Sequence, residues 1–165
     1  MKMNLFFDFQ VDKPAKKISI TREFDAPQSL VWEAFTNAEL LDQWTAPAPF
    51  KARTKYMDFK IGGRRFYAMV SPDGLERWAL QEYRSINPQT HFTMYNCFTD
   101  AEGNPDPAGS DWDYRFSEVN GITTVNITIY NESFDRMEAL LEGFTKGFTM
   151  TLENLEALLA ALSKK

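Results

Sequence analysis

Hydrophobic and polar residues alternate along residues 18–24, which read ISITREF. A period of two puts alternate side chains on opposite faces of an extended chain, so this segment predicts a β-strand with one buried face. Similar patterns predict six more strands, at 50–60, 64–71, 77–86, 91–99, 111–118 and 122–130. Residues 5–11 alternate enough to add an N-terminal edge strand, within an arm over 1–15, across a turn at Lys13-Pro14.

The connections between these strands are short and rich in turn residues. Asn120-Gly121 is the strongest hairpin signal in the chain. Gly62-Gly63 resembles a phosphate-binding loop at first sight, but a strand-like segment that starts at Arg64 follows it, instead of a helix. We therefore interpret the glycine pair as a tight hairpin. Because crossovers this short cannot hold helices, the sheet is predicted to be antiparallel.

Helical spacing of apolar residues is found after the first strand and at the end of the chain. Leu30, Val31, Ala34 and Phe35 predict a short helix, and a second short helix carries Trp44. A helix over about 143–162, preceded by a helical stretch with Ser133 as candidate N-cap, is predicted by a stripe of Phe144, Phe148, Leu152, Leu155, Leu159 and Leu162.

These elements predict an α+β fold. A long helix with one apolar stripe cannot bury that stripe alone, so the sheet of six to seven strands is expected to curl around it. The two short helices after the first strand would close one end. That layout allows a cavity between the sheet and the long helix. We predict one domain over 1–165, with its core at 16–163.

Composition narrows the classes of function. The net charge of −5 and the pI near 5.0 leave no basic footprint for nucleic acid. Cys97 is the only cysteine, so no intramolecular disulfide forms, and a reducing cytoplasmic setting is expected. No stretch approaches the ~20 apolar residues of a membrane span, and residues 1–12 do not read as a signal peptide.

Signals for catalysis or for a metal are weak. His91 is the only histidine, and no nucleophile motif accompanies it. Residues 100–111 have acidic side chains spaced partly as in the calcium-binding loop of an EF-hand. Pro105 and Asp111, however, stand where that loop needs glycine and glutamate. We therefore predict no metal, no cofactor and no catalytic residue.

Three segments together resemble a known family: REFDAPQSLVWEAFTNAELLDQW, MDFKIGGRRFYAMVSPDG and GFTMTLENLEALL. In this order and spacing they resemble the activator of heat-shock-protein-90 ATPase homologue family, of the START-like, Bet v 1-like (SRPBCC) superfamily. The resemblance runs from about residue 18 to 162. It implies a helix-grip fold with an apolar cavity between the sheet and the long helix.

The chain departs from the family pattern at three positions that bear on this cavity. Thr45 stands where the second tryptophan of a Trp-Trp-x-Pro pattern is usual, and Arg65 stands where a tryptophan is frequent. The Gly-Trp of the final helix appears here as Gly147-Phe148. The first two departures imply a change in the size and polarity of the cavity.

The parity of the strand after Gly63 puts Tyr67 and Met69 on the face of Arg65, and the family pattern favours that face inward. Arg65 itself has three alternatives: an ion pair with Glu82 or another acid, an anionic ligand, or exposure to water, which we favour. The candidate ligand-binding residues are Trp44, Arg65, Tyr67, Met69, Tyr83, Trp112, Tyr114, Phe116, Phe144 and Phe148.

Three functions stay open at this point. The first is a protein that binds a small hydrophobic or amphipathic ligand in its cavity, as a monomer or homodimer. The second is a stand-alone relative of the chaperone-activating domain that contacts a chaperone and serves the stress response. The third, which ranks last, is a cavity-based enzyme that would use Asp58, Arg65, Tyr67, Glu82 or Tyr83.

Overall fold

A computed structural model describes residues 5–163. The part of the predicted N-terminal arm at 1–4 lies outside the described residues. Eight strands and three helices follow one another as β1 (Phe7–Asp12), β2 (Lys17–Phe24), α1 (Gln28–Thr36), α2 (Ala38–Trp44), β3 (Lys51–Met57), β4 (Arg64–Val70), β5 (Glu76–Asn87), β6 (His91–Thr99), β7 (Ser110–Val119), β8 (Ile122–Asn131) and α3 (Phe134–Ser163).

The strands form one sheet in the order β1-β2-β8-β7-β6-β5-β4-β3, and every neighbouring pair is antiparallel. The predicted fold class is confirmed: a large antiparallel sheet carries a long C-terminal helix, and two short helices follow β2. The predicted number of six to seven strands is too low. The eighth strand is β1, where an additional N-terminal edge strand was expected at 5–11, and it pairs with β2 in a register that places Phe9 opposite Ile20.

The two glycine-containing turns differ in kind. Asn120 and Gly121 have φ angles of 53° and 80°, which is the left-handed pair that a two-residue hairpin between β7 and β8 requires. The tight hairpin predicted at Gly62-Gly63 is wrong. Strand β3 ends at Met57 and β4 begins at Arg64, so the connection spans 58–63 and is longer than a two-residue turn.

Each glycine of that longer connection has its own constraint. Gly62 has a φ of 84°, whereas a Cβ on Gly63 would lie 2.0 Å from the carbonyl oxygen of Asp58. Both also pair with β5, since the Gly62 amide donates to the Tyr83 carbonyl at 2.7 Å and the Tyr83 amide donates to the Gly63 carbonyl at 2.9 Å. The glycines therefore let the connection run close beside β5.

The core lies between the inner face of the sheet and the helices. Strand β8 alternates strictly: Val125, Ile127 and Ile129 are buried, while the side chains between them are more exposed. Helices α1 and α2 cover one end of the sheet and are joined by a hydrogen bond from Nε1 of Trp44 to the Ala34 carbonyl at 2.9 Å. Each large side chain buried here contributes about 1.5–3 kcal/mol.

Helix α3 is longer than the predicted segment 143–162. It begins at Phe134, where the Oγ atom of Ser133 accepts a hydrogen bond from the Arg136 amide at 3.2 Å, so Ser133 is the N-cap. The predicted start near 143 is wrong. The apolar stripe on which that prediction rests does not extend to the first turns of the helix, where few residues face the core. In the first half of α3 only Met137 is buried, whereas the second half buries Thr151, Leu152, Leu155 and Leu159.

Candidate ligand-binding site

The uneven burial of α3 leaves space beneath its first half. A cavity of about 400 Å³ lies between this part of α3 and the sheet. Small-molecule sites in proteins commonly have volumes of ~300–1,000 Å³, so the space is large enough for one small ligand. The second half of α3 closes the cavity at the other end, because Leu152, Leu155 and Leu159 pack into the core.

The cavity opens to solvent on one side. Three members of its lining are exposed: Arg77 on β5, and Leu140 and Gly143 on α3. We call these three residues the mouth. Met69 and Gly147 also line this side and are half-buried. Since a Cβ on Gly143 would meet no atom within 4 Å, the space beside the helix is open at this point.

Aromatic rings form one wall of the cavity. The ring of Trp112 on β7 lies 5.9 Å from that of Phe144 and 5.7 Å from that of Phe148, in edge-to-face geometry. Phe144 and Phe148 stack on each other at 5.2 Å. Such ring pairs are stiff and bury a large apolar area, so this wall presents a fixed flat surface.

The opposite end of the cavity carries a buried cation. Arg65 is fully buried, so the prediction that it faces water is wrong. Its Nη2 atom lies 3.0 Å from Oδ1 of Asp42 on α2, and its Nε donates to the Thr54 hydroxyl at 3.0 Å. Nη2 also approaches the Thr45 hydroxyl at 3.3 Å. Glu82, the acid named in the prediction, instead lies near Arg64, at 3.7 Å.

Strand parity explains why Arg65 is inside. It shares the inward face of β4 with Tyr67, and its guanidinium carbon lies 3.8 Å from the centroid of the Tyr67 ring. A buried guanidinium is tolerated only when it is paired and hydrogen-bonded. Asp42 supplies the paired charge, while the Nη1 atom of Arg65 is buried without a hydrogen-bond partner in the part of the chain that the structure describes.

Three tyrosines surround this end of the cavity. Tyr67, Tyr83 and Tyr114 are buried residues of the lining, and no side-chain hydrogen bond from their hydroxyls to a protein group is found within residues 5–163. These hydroxyls are not among the fully enclosed atoms that lack a partner, so they are reached from the cavity. Burial raises the pKa of all three phenols, and the positive charge of Arg65 partly opposes that rise. The three hydroxyls are therefore protonated donors at neutral pH, and they face the cavity.

Nine of the ten predicted ligand-binding residues line the cavity, namely Trp44, Arg65, Tyr67, Met69, Tyr83, Trp112, Tyr114, Phe144 and Phe148. Phe116 lies outside the lining. It shares the inner face of β7 with Trp112 and Tyr114, but it is further along the strand, where α1 covers the sheet. There its ring packs against Trp32 at 5.2 Å and Phe35 at 5.4 Å.

Several residues of the site were missed by reasoning from the sequence. Asp42 reads as a polar position of an amphipathic helix, and Thr54 as an ordinary strand residue. The only available signal was that a buried Arg65 needs an acid. Arg77 and Arg136, which also line the cavity, gave no signal.

Neither a cluster of metal ligands nor a helix that could span a membrane is found among the described residues. Within 5–163, no group of three or more His, Cys, Asp or Glu side chains is placed to hold a metal ion. Over the same residues, none of the helices combines the length and the apolar character needed to cross a membrane.

A curved antiparallel sheet with a long C-terminal helix above a lined cavity defines a protein of the helix-grip class, that is, START-like or Bet v 1-like. The family model described as activator of Hsp90 ATPase homolog 1-like protein matches residues 25–160. The chain belongs to this family, as the resemblance of its sequence motifs predicted.

Solved structures agree with this assignment. A crystal structure of a protein from Mycobacterium smegmatis is 26% identical, with a TM-score of 0.86 over 96% of this chain and 99% of that one. A solution structure from Arthrobacter aurescens is 25% identical, with a TM-score of 0.88 over 93% and 91% of the two chains. One from Staphylococcus epidermidis is 28% identical, with a TM-score of 0.81 over 93% of each chain. No curated protein gave a match.

Proposed function

We propose that this chain binds a small hydrophobic or amphipathic molecule in the cavity between α3 and the sheet. The observation that carries the proposal is the space of about 400 Å³ itself, which is walled by aromatic rings and open at the mouth. An apolar pocket with a few convergent polar groups is the usual form of a small-molecule site. The proposal includes a cytoplasmic setting, since the only cysteine, Cys97, is buried and unpaired.

The chemistry of the lining favours binding over catalysis. Among residues 5–163, the lining contains no aspartate, glutamate or histidine, which are the commonest groups for proton transfer in enzymes. Of the polar residues considered for an enzyme, Glu82 forms ion pairs with Arg64 and Arg84 instead of facing the cavity. The chaperone-interaction role stays a prediction from family membership.

Methionine methyl groups offer a direct test. Met69, Met94 and Met137 line the cavity, whereas Met57 and Met150 do not. We would label the methyl groups with carbon-13 and titrate the protein with 2-isopropenylnaphthalene, a flat apolar probe. Binding in the cavity should shift the signals of the three lining methionines and leave the signals of the other two in place.

This comparison carries its own control, because the methyl groups of these five methionines are observed in one sample. Saturable shifts confined to Met69, Met94 and Met137 would support the proposal. No shift up to the solubility limit of the probe and of a panel of larger apolar compounds would overturn it. So would shifts at Met57 or Met150 without shifts in the lining.

A further inference from the structure

The polar end of the cavity specifies the chemistry of the ligand more closely. We infer that the preferred ligand is uncharged and carries an acceptor oxygen, such as the carbonyl of a ketone, amide or ester, which accepts hydrogen bonds from the hydroxyls of Tyr67, Tyr83 and Tyr114. This inference rests on the proposed function and adds the class of ligand.

The first support is an imbalance between donors and acceptors. Arg65 uses Nε and Nη2 for Thr54, Thr45 and Asp42, but both N–H groups of Nη1 lack an acceptor. The three tyrosine hydroxyls also have no acceptor in the described protein, but unlike Nη1 they are not fully enclosed, so a molecule in the cavity can reach them. A buried donor without an acceptor costs about 1–3 kcal/mol. A ligand oxygen placed among the hydroxyls would remove part of this imbalance.

The geometry assigns the contact to the tyrosines and a positioning role to Arg65. Arg65 has no exposed surface, so we assign the direct contact with the ligand to the tyrosine hydroxyls. The ring of Phe92 lies between Tyr83, at 6.2 Å, and Tyr114, at 4.5 Å. Arg65 stacks on Tyr67 and holds that ring in place. Phe92 thus stacks on Tyr114 and meets the ring of Tyr83 edge-on, so it holds the two phenol rings in place.

The charge of the site argues for an uncharged ligand. Among residues 5–163, Arg65 is the one cation that lines this end, and Asp42 already neutralises it at 3.0 Å. A carboxylate placed here would lose its hydration without gaining an unpaired cation, which costs several kcal/mol. The other two arginines of the lining, Arg77 and Arg136, line the side of the cavity near Leu140, and Arg136 forms an ion pair with Asp106. A neutral acceptor avoids the cost of removing a carboxylate from water.

Because the three tyrosines stay protonated, their hydroxyls remain hydrogen-bond donors. Burial raises the pKa of Tyr83 and Tyr114, and repulsion from the ionised forms of Tyr67 and Tyr83 raises the pKa of Tyr114 further. The phenols therefore keep their protons well beyond neutral pH. Phenol oxygens can also accept, so a ligand hydroxyl is compatible with the site, but only an acceptor relieves the excess of donors.

Three naphthalenes of nearly the same shape test the inference. In 2-acetylnaphthalene the side group carries a carbonyl oxygen, in 2-isopropenylnaphthalene a CH₂ group replaces that oxygen, and 2-naphthoate has a carboxylate. Affinities are measured at pH 8 from the methionine methyl shifts of the full chain. The readout is the ratio of the ketone's affinity to the alkene's, because this ratio cancels changes in the apolar part of the site.

The variant Tyr67→Phe/Tyr83→Phe/Tyr114→Phe removes the donors and keeps the rings. We expect the ketone-to-alkene ratio to fall by about tenfold in this variant, which is what the loss of one or two hydrogen bonds gives. Tyr130→Phe, on the outer surface, serves as the matched control and should leave the ratio unchanged. Arg65→Lys, which retains a cation for Asp42 but cannot stack as a guanidinium does, should lower the ratio by a smaller factor.

The outcomes separate the two proposals. If the alkene binds in the cavity and the triple variant leaves the ratio unchanged, the inference is overturned while the proposed function stands. If wild-type protein binds 2-naphthoate more tightly than the ketone, the assignment to uncharged ligands is overturned. If none of the three probes shifts a lining methionine, the inference is overturned, and larger compounds decide the proposed function. A ratio that falls only in the cavity variants supports the inference.

Discussion

The Nη2 atom of Arg65 lies 3.0 Å from Oδ1 of Asp42, and this ion pair joins the inner face of β4 to helix α2. Asp42 also accepts from the Thr54 amide at 3.0 Å and from the Thr54 hydroxyl at 2.5 Å. One carboxylate therefore links the short helix, the edge strand β3 and the buried cation.

The same guanidinium contacts Thr45, so two of the three positions at which the chain departs from the family's tryptophans meet in space. The Thr45 hydroxyl donates to the Leu41 carbonyl at 2.7 Å and accepts from Nη2 of Arg65 at 3.3 Å. A small hydroxyl at 45 makes room for a long cation at 65. Together they turn one end of an aromatic cavity polar.

Removing Asp42 should destabilise the protein strongly. In Asp42→Ala the fully buried Arg65 loses its counter-charge, and breaking a buried ion pair costs about 3–5 kcal/mol. Because the Asp42 side chain is 29% exposed, we expect the lower end of that range. Urea unfolding measures the change, and Gln43→Ala, an exposed neighbour on α2, should cost less than about 0.5 kcal/mol. Equal costs for the two variants would contradict a structural role for the pair.

Two glycine-to-alanine changes should have opposite signs. Gly143 lies in α3 with open space around its Cα, so Gly143→Ala should raise the free energy of unfolding by about 1 kcal/mol through helix propensity. Gly62 also has open space, but its φ of 84° strains any other residue. Gly62→Ala should therefore lower the free energy of unfolding by about 1 kcal/mol. Thermal and urea unfolding of both variants check this, and the same sign for both would refute the backbone argument.

Stability should fall at alkaline pH. The phenols of Tyr83 and Tyr114 have a pKa above the ordinary value of 10.0 in the folded chain, so the folded state holds protons that the unfolded state releases. The stabilisation that the two protonated phenols give the folded state is complete below pH 10. It is lost as the pH rises from there through the pKa values of the folded chain. Tyr83→Phe/Tyr114→Phe should flatten the decline above pH 10 in urea unfolding measured from pH 8 to 11. An unchanged slope would show that these phenols do not titrate as buried groups.

A bulky residue at the mouth should slow ligand entry. Gly143→Trp places a large side chain where the structure leaves open space, and we expect the association rate of 2-acetylnaphthalene to fall by about tenfold. Gly143→Ala is the matched control, since it changes the same helix position without bulk. Stopped-flow tryptophan fluorescence measures the rate. If both variants bind at the wild-type rate, the ligand enters elsewhere.

Much of the fold follows from local patterns in the sequence. The alternation in 122–130 predicts β8 because a strand with one buried face must repeat every two residues. Asn120-Gly121 predicts the hairpin before it, because few residue pairs adopt two positive φ angles. Parity alone also places Tyr67 and Met69 on one face with Arg65. These predictions need only the residues within each segment.

The partners of those residues come from elsewhere in the chain. Asp42 is 23 positions away from Arg65, and no periodicity connects a polar position on α2 with one on β4. The failure of Phe116 to line the cavity has the same origin, because its place on the correct face of β7 does not reveal that α1 covers that part of the sheet. The start of α3 was missed because its first half buries so little.

The sequence by itself therefore determined the elements, their order and which faces are apolar, since those properties depend on local spacing. Only the tertiary structure decided that Arg65 is buried and paired, that three tyrosine hydroxyls are left unpaired, and that the first half of α3 stands away from the sheet. Those features depend on the curvature of the sheet and on distances between segments far apart in the chain, and a cavity is a property of such distances.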